Sequence, residues 1–261
     1  MNLDLTGKKA LVCGSTQGIG KASAIELALL GASITLVARN EEKLKKTISE
    51  LSTKAGQHHQ YLVADFNFPE QLKMTIEKYA SSTATHILIN NTGGPPGGPA
   101  LSASLDEFTK AFSSHLLCGQ ILVQALAPGM KEAKYGRIIN IISTSVKMPI
   151  RGLGVSNTIR GAVANWSKTL SLELAPFGIT VNNVLPGASM TGRLESIIKD
   201  RAEKQNKTTE QITKEMIEEI PAGRISSSEE VAAAVAFLAS PAAGYINGIN
   251  VPVDGGRTGS L

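Results

Sequence analysis

Short runs of apolar and β-branched residues alternate along the chain with longer segments of helical periodicity. The runs predict seven strands: Ala10–Cys13, Ser33–Ala38, Tyr61–Ala64, His86–Ile89, Arg137–Ile142, Ile179–Leu185 and Ile246–Val253. Strands that alternate with helices are typical of repeated βαβ units and of a doubly wound, mainly parallel sheet with helices on both faces. We therefore predict a single α/β domain over residues 1–261.

The first and last predicted helices carry clear end signals. Apolar positions of Ile19–Leu30 share one face, and Gly31 follows as the expected left-handed cap. The last helix begins at Ser227, where Ser227 and Glu230 have the spacing of a capping box, and it stops before Pro241. These signals predict buried crossover helices at both ends of the chain.

Two stretches interrupt the alternation. Residues 93–99 contain only glycine and proline, so they predict a loop after the fourth strand. Ser189–Pro221 is polar and charged, and its isoleucines are spaced for amphipathic helices: Ile197, Ile198, Ile212 and Ile217. Because strand signals resume after it, we interpret this second stretch as a mobile lid over a binding site.

Composition narrows the class of protein. With 42% hydrophobic and 18% charged residues, the chain is ordinarily globular, and no apolar run is long enough to span a membrane. Its two cysteines, Cys13 and Cys118, lie far apart, which argues against a disulfide framework or a metal site and suits a reducing compartment. No secretory signal is visible, so we expect a cytoplasmic protein. The net charge of +4 is too small to indicate nucleic-acid binding.

A glycine-rich turn follows the first strand and opens the first helix. It reads Gly14-Ser15-Thr16-Gln17-Gly18-Ile19-Gly20. Glycines let the backbone approach a pyrophosphate, and the N-terminus of a helix offers free N–H groups and a partial positive charge. The turn therefore predicts a dinucleotide phosphate site, with a merely tight strand-to-helix turn as the alternative.

The end of the second strand bears on the choice of coenzyme. An acid here normally binds the ribose 2′-hydroxyl of NAD, whereas a cation accommodates the 2′-phosphate of NADP. The chain has Arg39 and Asn40 at this point, so Arg39, helped by Ser15 and Asn40, favours NADP(H) over NAD(H). The alternative is a solvated arginine in a turn. Asp65, after the third strand, can accept from the adenine amino group or simply start a helix.

Several motifs together resemble the short-chain dehydrogenase/reductase family over almost the whole chain. They are the glycine turn of residues 14–20, Asp65, Asn90-Asn91-Thr92-Gly93, Ser143, Pro186-Gly187, Thr191 and Val253-Asp254-Gly255-Gly256. The resemblance implies a Rossmann-type fold, a nicotinamide dinucleotide held also by Asn91, Gly93, Pro186, Gly187 and Thr191, and usually a homotetramer. It is nearest to the branch of 3-oxoacyl-acyl-carrier-protein reductases.

The chain departs from this family at the catalytic residues. The family uses an Asn, a Ser, a Tyr and a Lys, the last two in a Tyr-x-x-x-Lys stretch. Alignment on Ser143 places Ser156 at the Tyr position and Arg160 at the Lys position, and His115 falls where the family has its Asn. Of the four groups, only Ser143 is retained. Arg160 can still clamp the nicotinamide ribose.

These replacements shape the expected chemistry. An alkyl hydroxyl such as Ser156 is a poor general acid, and Arg160 cannot release a proton at neutral pH. An unperturbed histidine has a pKa near 6.5, so we hypothesise that His115 handles the proton, directly or through water, while Ser143 and Arg160 polarise the oxygen. The alternative for His115 is a helix residue packed under the nicotinamide.

Two functions remain open at this point. One is an NADP(H)-dependent oxidoreductase that interconverts a carbonyl and an alcohol on a small molecule. The other is a catalytically weak or inactive dinucleotide-binding protein that acts as a redox sensor or oligomer partner. Four cations near the expected pocket suggest an anionic substrate: Lys147, Arg151, Arg160 and Arg193. Apolar residues in 231–253 suggest a subunit contact in a homotetramer or homodimer.

Overall fold

The computed structural model describes residues 1–260 and contains one seven-stranded sheet. Its order is β3-β2-β1-β4-β5-β6-β7, and every neighbouring pair is parallel. The strands are β1 (Lys9–Cys13), β2 (Ser33–Ala38), β3 (Gln60–Val63), β4 (Ile87–Asn90), β5 (Gly136–Ile141), β6 (Ile179–Pro186) and β7 (Asn250–Val253). The predicted parallel α/β sheet is confirmed.

Nine α-helices connect and cover the strands of the described chain. They are α1 (Gly18–Leu29), α2 (Glu41–Ile48), α3 (Pro69–Ala80), α4 (Leu105–Phe112), α5 (Cys118–Glu132), α6 (Gly154–Leu174), α7 (Gly192–Gln205), α8 (Thr209–Glu218) and α9 (Ser228–Ala239). A π-helical turn, Ser113–Leu117, joins α4 to α5. Within residues 1–260 no helix combines the length and apolarity that a membrane crossing requires.

Alternate residues of each strand enter two different cores. In β1, Ala10 and Val12 pack with α1 and α9, whereas Leu11 and Cys13 pack with α3, α5 and α6. Successive side chains of a strand point to opposite faces of a sheet. Both faces are therefore apolar and covered, as expected for a parallel sheet whose strands are continuous hydrophobic runs.

The predicted helix ends are confirmed at both ends of the chain. Gly31 has a φ of +99° immediately after α1. Ser227 accepts from the Glu230 N–H, and Glu230 accepts from the Ser227 N–H, at 3.3 and 2.9 Å. Both backbone donors that a capping box serves are satisfied there.

The last strand is shorter than the sequence predicts. It begins at Asn250 rather than at Ile246. Gly248 has a φ of +71°, which breaks the extended conformation, and the Ile249 N–H donates to Asn182 Oδ1 at 3.2 Å instead of to a strand carbonyl. The apolar run of 246–249 is therefore a turn that leads into the strand.

The predicted lid, 189–221, consists mainly of the two amphipathic helices α7 and α8. They share a small apolar cluster that includes Leu194, Ile198 and Ile212. Ile197 and Ile217 are half-buried and lie outside that cluster. The two helices are confirmed, with two of the four isoleucines in the cluster, and the mobility of the segment stays a prediction.

We predict that His86 makes the stability of the fold pH-dependent. Its Nδ1 accepts from the Lys9 N–H at 3.1 Å, and burial, with Lys8 and Lys9 nearby, lowers its pKa below the ordinary 6.5. As pH falls through that ordinary value the unfolded chain takes up a proton that the folded chain refuses, so the free energy of unfolding decreases.

The measurement is urea unfolding between about pH 7.5 and pH 5.5. His86→Asn retains an acceptor that does not titrate and should flatten the pH dependence. His58→Asn, at an exposed histidine, should keep the wild-type slope. Equal slopes for wild type and His86→Asn would contradict the assignment.

Candidate active site

The turn between β1 and α1 is shaped by its three glycines. Gly14 and Gly18 have φ values of +57° and +53°, in the left-handed region that favours glycine. At Gly20 a Cβ atom would stand 2.2 Å from the Gly14 carbonyl oxygen. The turn thus brings the first turn of α1 against the end of β1 and leaves no room for a side chain at Gly20.

The N-terminus of α1 is open to an anion. The N-cap residue, Gln17, makes no capping hydrogen bond, and the first turn holds no acidic residue. The first N–H groups of a helix have no partner within the helix, and they carry part of its positive dipole. The geometry therefore fits the pyrophosphate of a dinucleotide, with Ile19 half-buried against the core beneath the turn.

Two other segments converge on this turn. The Asn91 side-chain amide donates to the carbonyls of Cys13 and Gly14, both at 3.3 Å. A Cβ on Gly18 would lie 3.1 Å from Thr191 Cγ2, and Thr191 itself caps α7 by accepting from the Leu194 N–H at 3.3 Å. The predicted coenzyme residues Asn91 and Thr191 are thus placed together beside the phosphate turn.

Pro186 and Gly187 lie at the carboxyl end of β6. Pro186 is the last residue of that strand, and the Gly187 N–H donates to the Val253 carbonyl at 3.0 Å. A Cβ on Gly187 would be 2.7 Å from Asp254 Cβ. Glycine is needed at this position because the chain after β7 passes so closely.

The three residues that were expected at the 2′-phosphate have different surroundings in the structure. Arg39 is exposed and has no ionic partner among residues 1–260. Ser15 is fully buried and its hydroxyl donates to the Val37 carbonyl at 3.3 Å. Asn40 Oδ1 caps α2 by accepting from the Lys43 N–H at 2.9 Å. Of the three side chains, only that of Arg39 is free of such contacts.

Asp65 follows β3 and has a local partner of its own. Its Oδ1 accepts from the Asn67 N–H at 2.9 Å in the turn that leads to α3. This contact matches the helix-start alternative, and it leaves the second carboxylate oxygen for an adenine amino group.

Arg160 is the central cation of the site. From α6, its Nη1 donates to the carbonyls of Ile141 and Ile142 at 3.2 and 2.8 Å, and its Nε donates to Ser156 Oγ at 3.2 Å. Burial, and then the neighbouring Arg193, lowers the pKa of Arg160 to about 10. The guanidinium therefore remains charged at neutral pH and lies at the end of β5, next to Ser143.

Arg193 approaches the same point from α7. Its Nη2 donates to the Pro95 carbonyl at 2.5 Å. A Cβ on Gly94 would be 3.4 Å from Arg160 Nη2 and 3.8 Å from Arg193 Nε. The structure thus brings two of the four predicted cations together around Gly94, whereas Arg151 is exposed on the loop before α6.

His115 does not have the pKa that the sequence suggested. It lies in the π-helical turn Ser113–Leu117. Burial, and then the charge of Arg160, lowers its pKa to about 3, and a hydrogen bond with the Gly93 backbone only partly opposes this shift. The expectation of a histidine that titrates near neutrality is wrong, because the imidazolium form is desolvated beside another cation.

Sequence reasoning missed a row of asparagines across the sheet. Asn90, Asn140, Asn183 and Asn250 are paired from β4 to β7, and their side chains are hydrogen-bonded to one another. Asparagine is rare inside fully buried strands. The repeated asparagines within otherwise apolar runs were the available signal.

The chain is similar to known reductases over almost its whole length. Residues 14–258 match a family model described as Enoyl-(Acyl carrier protein) reductase. The chain is similar to FabG of Haemophilus influenzae, a 3-oxoacyl-acyl-carrier-protein reductase, with 32% identity over 97% of this chain and 98% of that one. It is 29% identical to the NADPH-dependent reductase BacG of Bacillus subtilis, over 98% of this chain and 100% of that one.

A solved structure has a similar fold over its full length. The L-sorbose reductase of Gluconobacter frateurii, determined with NADPH and L-sorbose, superposes with a TM-score of 0.92 at 29% identity. The alignment covers 100% of both chains. The arrangement of strands and helices described above is therefore shared with a reductase that binds NADPH.

We predict that Gly20→Ala destroys the phosphate site. The added Cβ would meet the Gly14 carbonyl at 2.2 Å and Asn91 Nδ2 at 2.6 Å, so the turn has to open. We expect affinity for NADPH, measured by fluorescence titration, to fall at least about tenfold, and stability to fall by about 1–3 kcal/mol. Gly161→Ala, where a Cβ meets no atom within 4 Å, is the matched control. Unchanged binding in Gly20→Ala would refute the placement of the coenzyme.

Proposed function

Because the chain belongs to the short-chain dehydrogenase/reductase family, we propose that it is an NADP(H)-dependent oxidoreductase that interconverts a carbonyl and an alcohol. The observation that carries this proposal is the uncapped N-terminus of α1 at the glycine turn, with Asn91 and Thr191 beside it. Bound NADPH would supply the hydride.

Arg39 supports the choice of NADP(H). It follows β2 directly, it is exposed, and it forms no ion pair with a carboxylate within residues 1–260. A guanidinium binds a phosphate through two parallel charge-assisted hydrogen bonds. Since the side-chain oxygens of Ser15 and Asn40 are already engaged, we assign recognition of the 2′-phosphate chiefly to Arg39.

We assign to Ser143 and Arg160 the role of donating hydrogen bonds to the substrate oxygen. Ser143 Oγ accepts from the Ser145 N–H at 3.1 Å, which leaves its own proton free to donate. The Nη2 group of Arg160 makes no hydrogen bond within residues 1–260, and the guanidinium is charged at neutral pH. Donors fixed in advance at a developing oxyanion stabilise the transition state.

We assign to solvent the supply of the proton that the substrate oxygen takes up. With a pKa of about 3, His115 is neutral at physiological pH and has no proton of suitable acidity to give. Ser156 is buried and its hydroxyl accepts from Arg160, so we assign it to orienting the guanidinium. A water molecule that enters with the substrate then transfers a proton to an alkoxide already held by Ser143 and Arg160, and the hydroxide that remains is neutralised by bulk solvent.

An anionic group on the substrate is the finer part of the proposal. Arg160 and Arg193 converge at Gly94, and neither forms an ion pair with a carboxylate in the described chain. Two neighbouring cations without a counter-charge favour an anion. We propose a small carbonyl compound that bears a carboxylate or phosphate.

Assembly into a homotetramer or homodimer is also proposed. Within 231–253, most apolar residues of α9 are buried in the core of the chain itself, so that part of the predicted contact surface is wrong. Tyr245 before β7 and Leu172 on α6 are strongly exposed. Burial of such side chains between subunits would stabilise an oligomer. A cytoplasmic location stays a prediction from the sequence.

We predict that Arg39→Ala lowers affinity for NADPH selectively. Loss of a charge-assisted contact of about 1.5–3 kcal/mol corresponds to roughly a tenfold to hundredfold weaker Kd for NADPH, with the Kd for NADH unchanged. Fluorescence titration with both coenzymes measures the effect, and Lys54→Ala, at another exposed cation, is the control. Equal losses for the two coenzymes would count against recognition of the 2′-phosphate.

A turnover test separates the two candidate functions. Wild type is mixed with NADPH and a panel of ketones and keto acids, each acid paired with its neutral ester, while the absorbance of the reduced nicotinamide is followed. We expect oxidation of NADPH with the acids preferred, and a decrease in kcat of about 10²–10³ in Ser143→Ala without a change in NADPH Kd. Ser81→Ala, on the surface, should behave as wild type.

The turnover test can reject the enzymatic activity and the anionic substrate separately. Binding of NADPH without turnover on any compound would replace the enzyme by a dinucleotide-binding protein. Preference for the neutral esters would remove the anionic substrate and leave the oxidoreductase intact.

A further inference from the structure

The asparagine row is a continuous chain of side-chain hydrogen bonds. Asn90 Nδ2 donates to Asn140 Oδ1 at 2.8 Å, Asn140 Nδ2 donates to Asn183 Oδ1 at 3.1 Å, and Asn183 Nδ2 donates to Asn250 Oδ1 at 2.8 Å. Every amide points the same way along the row. Hydrogen bonds in such a chain polarise one another, so the free carbonyl at its end is a strong acceptor.

Ser167 fixes the direction of the row. Its Oγ lies 2.7 Å from the Val163 carbonyl, a distance that requires the serine proton between the two oxygens. Toward Asn140, 2.8 Å away, Ser167 Oγ can therefore only accept, and Asn140 must present its NH2 group. Asn140 Oδ1 then faces Asn90, which must in turn donate. Reversal of the amides would leave two acceptors in contact.

The row ends in a buried acceptor without a partner. Asn90 Oδ1 is shielded from solvent and makes no hydrogen bond, and the same is true of His115 Nε2. Both residues line one small cavity next to Gly119 and Val163, with about 20 Å³ available to the centre of a water molecule. A cavity of this size holds one water when polar groups are there to bind it.

The hydrogen bond of the imidazole to the Gly93 backbone indicates the tautomer of His115. That bond raises the pKa of His115, as expected when a ring N–H donates to a carbonyl oxygen. Because Nε2 has no partner, the donor is Nδ1, and in a neutral imidazole Nε2 is then an acceptor. The cavity is therefore bordered by two acceptors, and its occupant must supply two hydrogens.

We propose that one buried water molecule occupies this cavity and donates one hydrogen to Asn90 Oδ1 and the other to His115 Nε2. A water molecule is the small ligand that carries two donors and fits the available space. Through it, the rigid row across β4 to β7 is connected to His115, and through His115 to the Gly93 carbonyl. His115 is thus a positioning residue for the loop that follows β4.

This connection bears on the coenzyme turn. The loop held at Gly93 also contains Asn91, whose amide bonds the carbonyls of Cys13 and Gly14. When the loop is fixed at Gly93, the position of Asn91 is restricted as well. The water therefore stabilises the glycine turn through Asn91. The effect on coenzyme affinity rests on the proposed function, whereas the water and the tautomer do not.

The direct test is nitrogen NMR of the full chain with labelled histidine, recorded without coenzyme. Its four histidines include His58, which is exposed and serves as an internal reference. We expect His115 to remain neutral from about pH 8 to pH 5, with the proton on Nδ1 and the Nε2 signal shifted by an accepted hydrogen bond. A midpoint near 6.5, or a proton on Nε2, would overturn the proposal.

A high-resolution crystal structure provides the second test. We expect an ordered oxygen atom within hydrogen-bonding distance of both Asn90 Oδ1 and His115 Nε2. A direct bond between these two atoms, or a dry cavity, would overturn the proposal even if the tautomer is as expected.

Variants test the positioning role. His115→Phe removes the acceptor and should weaken NADPH binding about tenfold, whereas His115→Gln retains an acceptor and should recover most of the affinity. His58→Phe is the control. Equal binding by the Phe and Gln variants would reject the positioning role. Failure of wild type to bind any dinucleotide would reject the proposed function and leave the NMR result standing.

Discussion

The close approach of Gly20 to the Gly14 carbonyl is the constraint on which the site depends. It forces α1 to begin directly at the end of β1, so that the open N-terminus of the helix points to the carboxyl edge of the sheet. Asn91 can bridge two carbonyls of the turn only because no side chain at Gly14 or Gly20 intervenes. Ligand sites of open parallel sheets form at this edge, where neighbouring strands end together.

The guanidinium of Arg160 has a physical consequence for the groups around it. A guanidinium is larger than an ammonium and carries five donors, so Arg160 can bond two backbone carbonyls and Ser156 and still leave Nη2 without a hydrogen bond within residues 1–260. Its charge is balanced by oriented carbonyls rather than by an acid. Burial, and then this charge, holds the pKa of His115 low, so the protonation of the imidazole is coupled to Arg160.

Much of the fold could be predicted because its signals are local. Six of the seven strands begin and end within one residue of their apolar runs, and the caps at Gly31 and Ser227 follow from short motifs. The seventh was misjudged because Asn182, distant in sequence, takes the N–H of Ile249. In the same way, the burial that lowers the pKa of His115 and the pairing of Asn90 with Asn140 arise from neighbours distant in sequence. For the site, sequence could therefore name residues but not their protonation or partners.

The π-helical turn Ser113–Leu117 accommodates one residue more than a regular α-helix would. Shortening this segment by a single residue would let α4 continue into α5 as one regular helix. The faces of α4 and α5 would keep their relative orientation, because the wide turn already takes up the extra residue, and only side chains within the turn, such as that of His115, would be redirected. The extra residue therefore sets the direction of the imidazole without disturbing the packing faces of the two flanking helices.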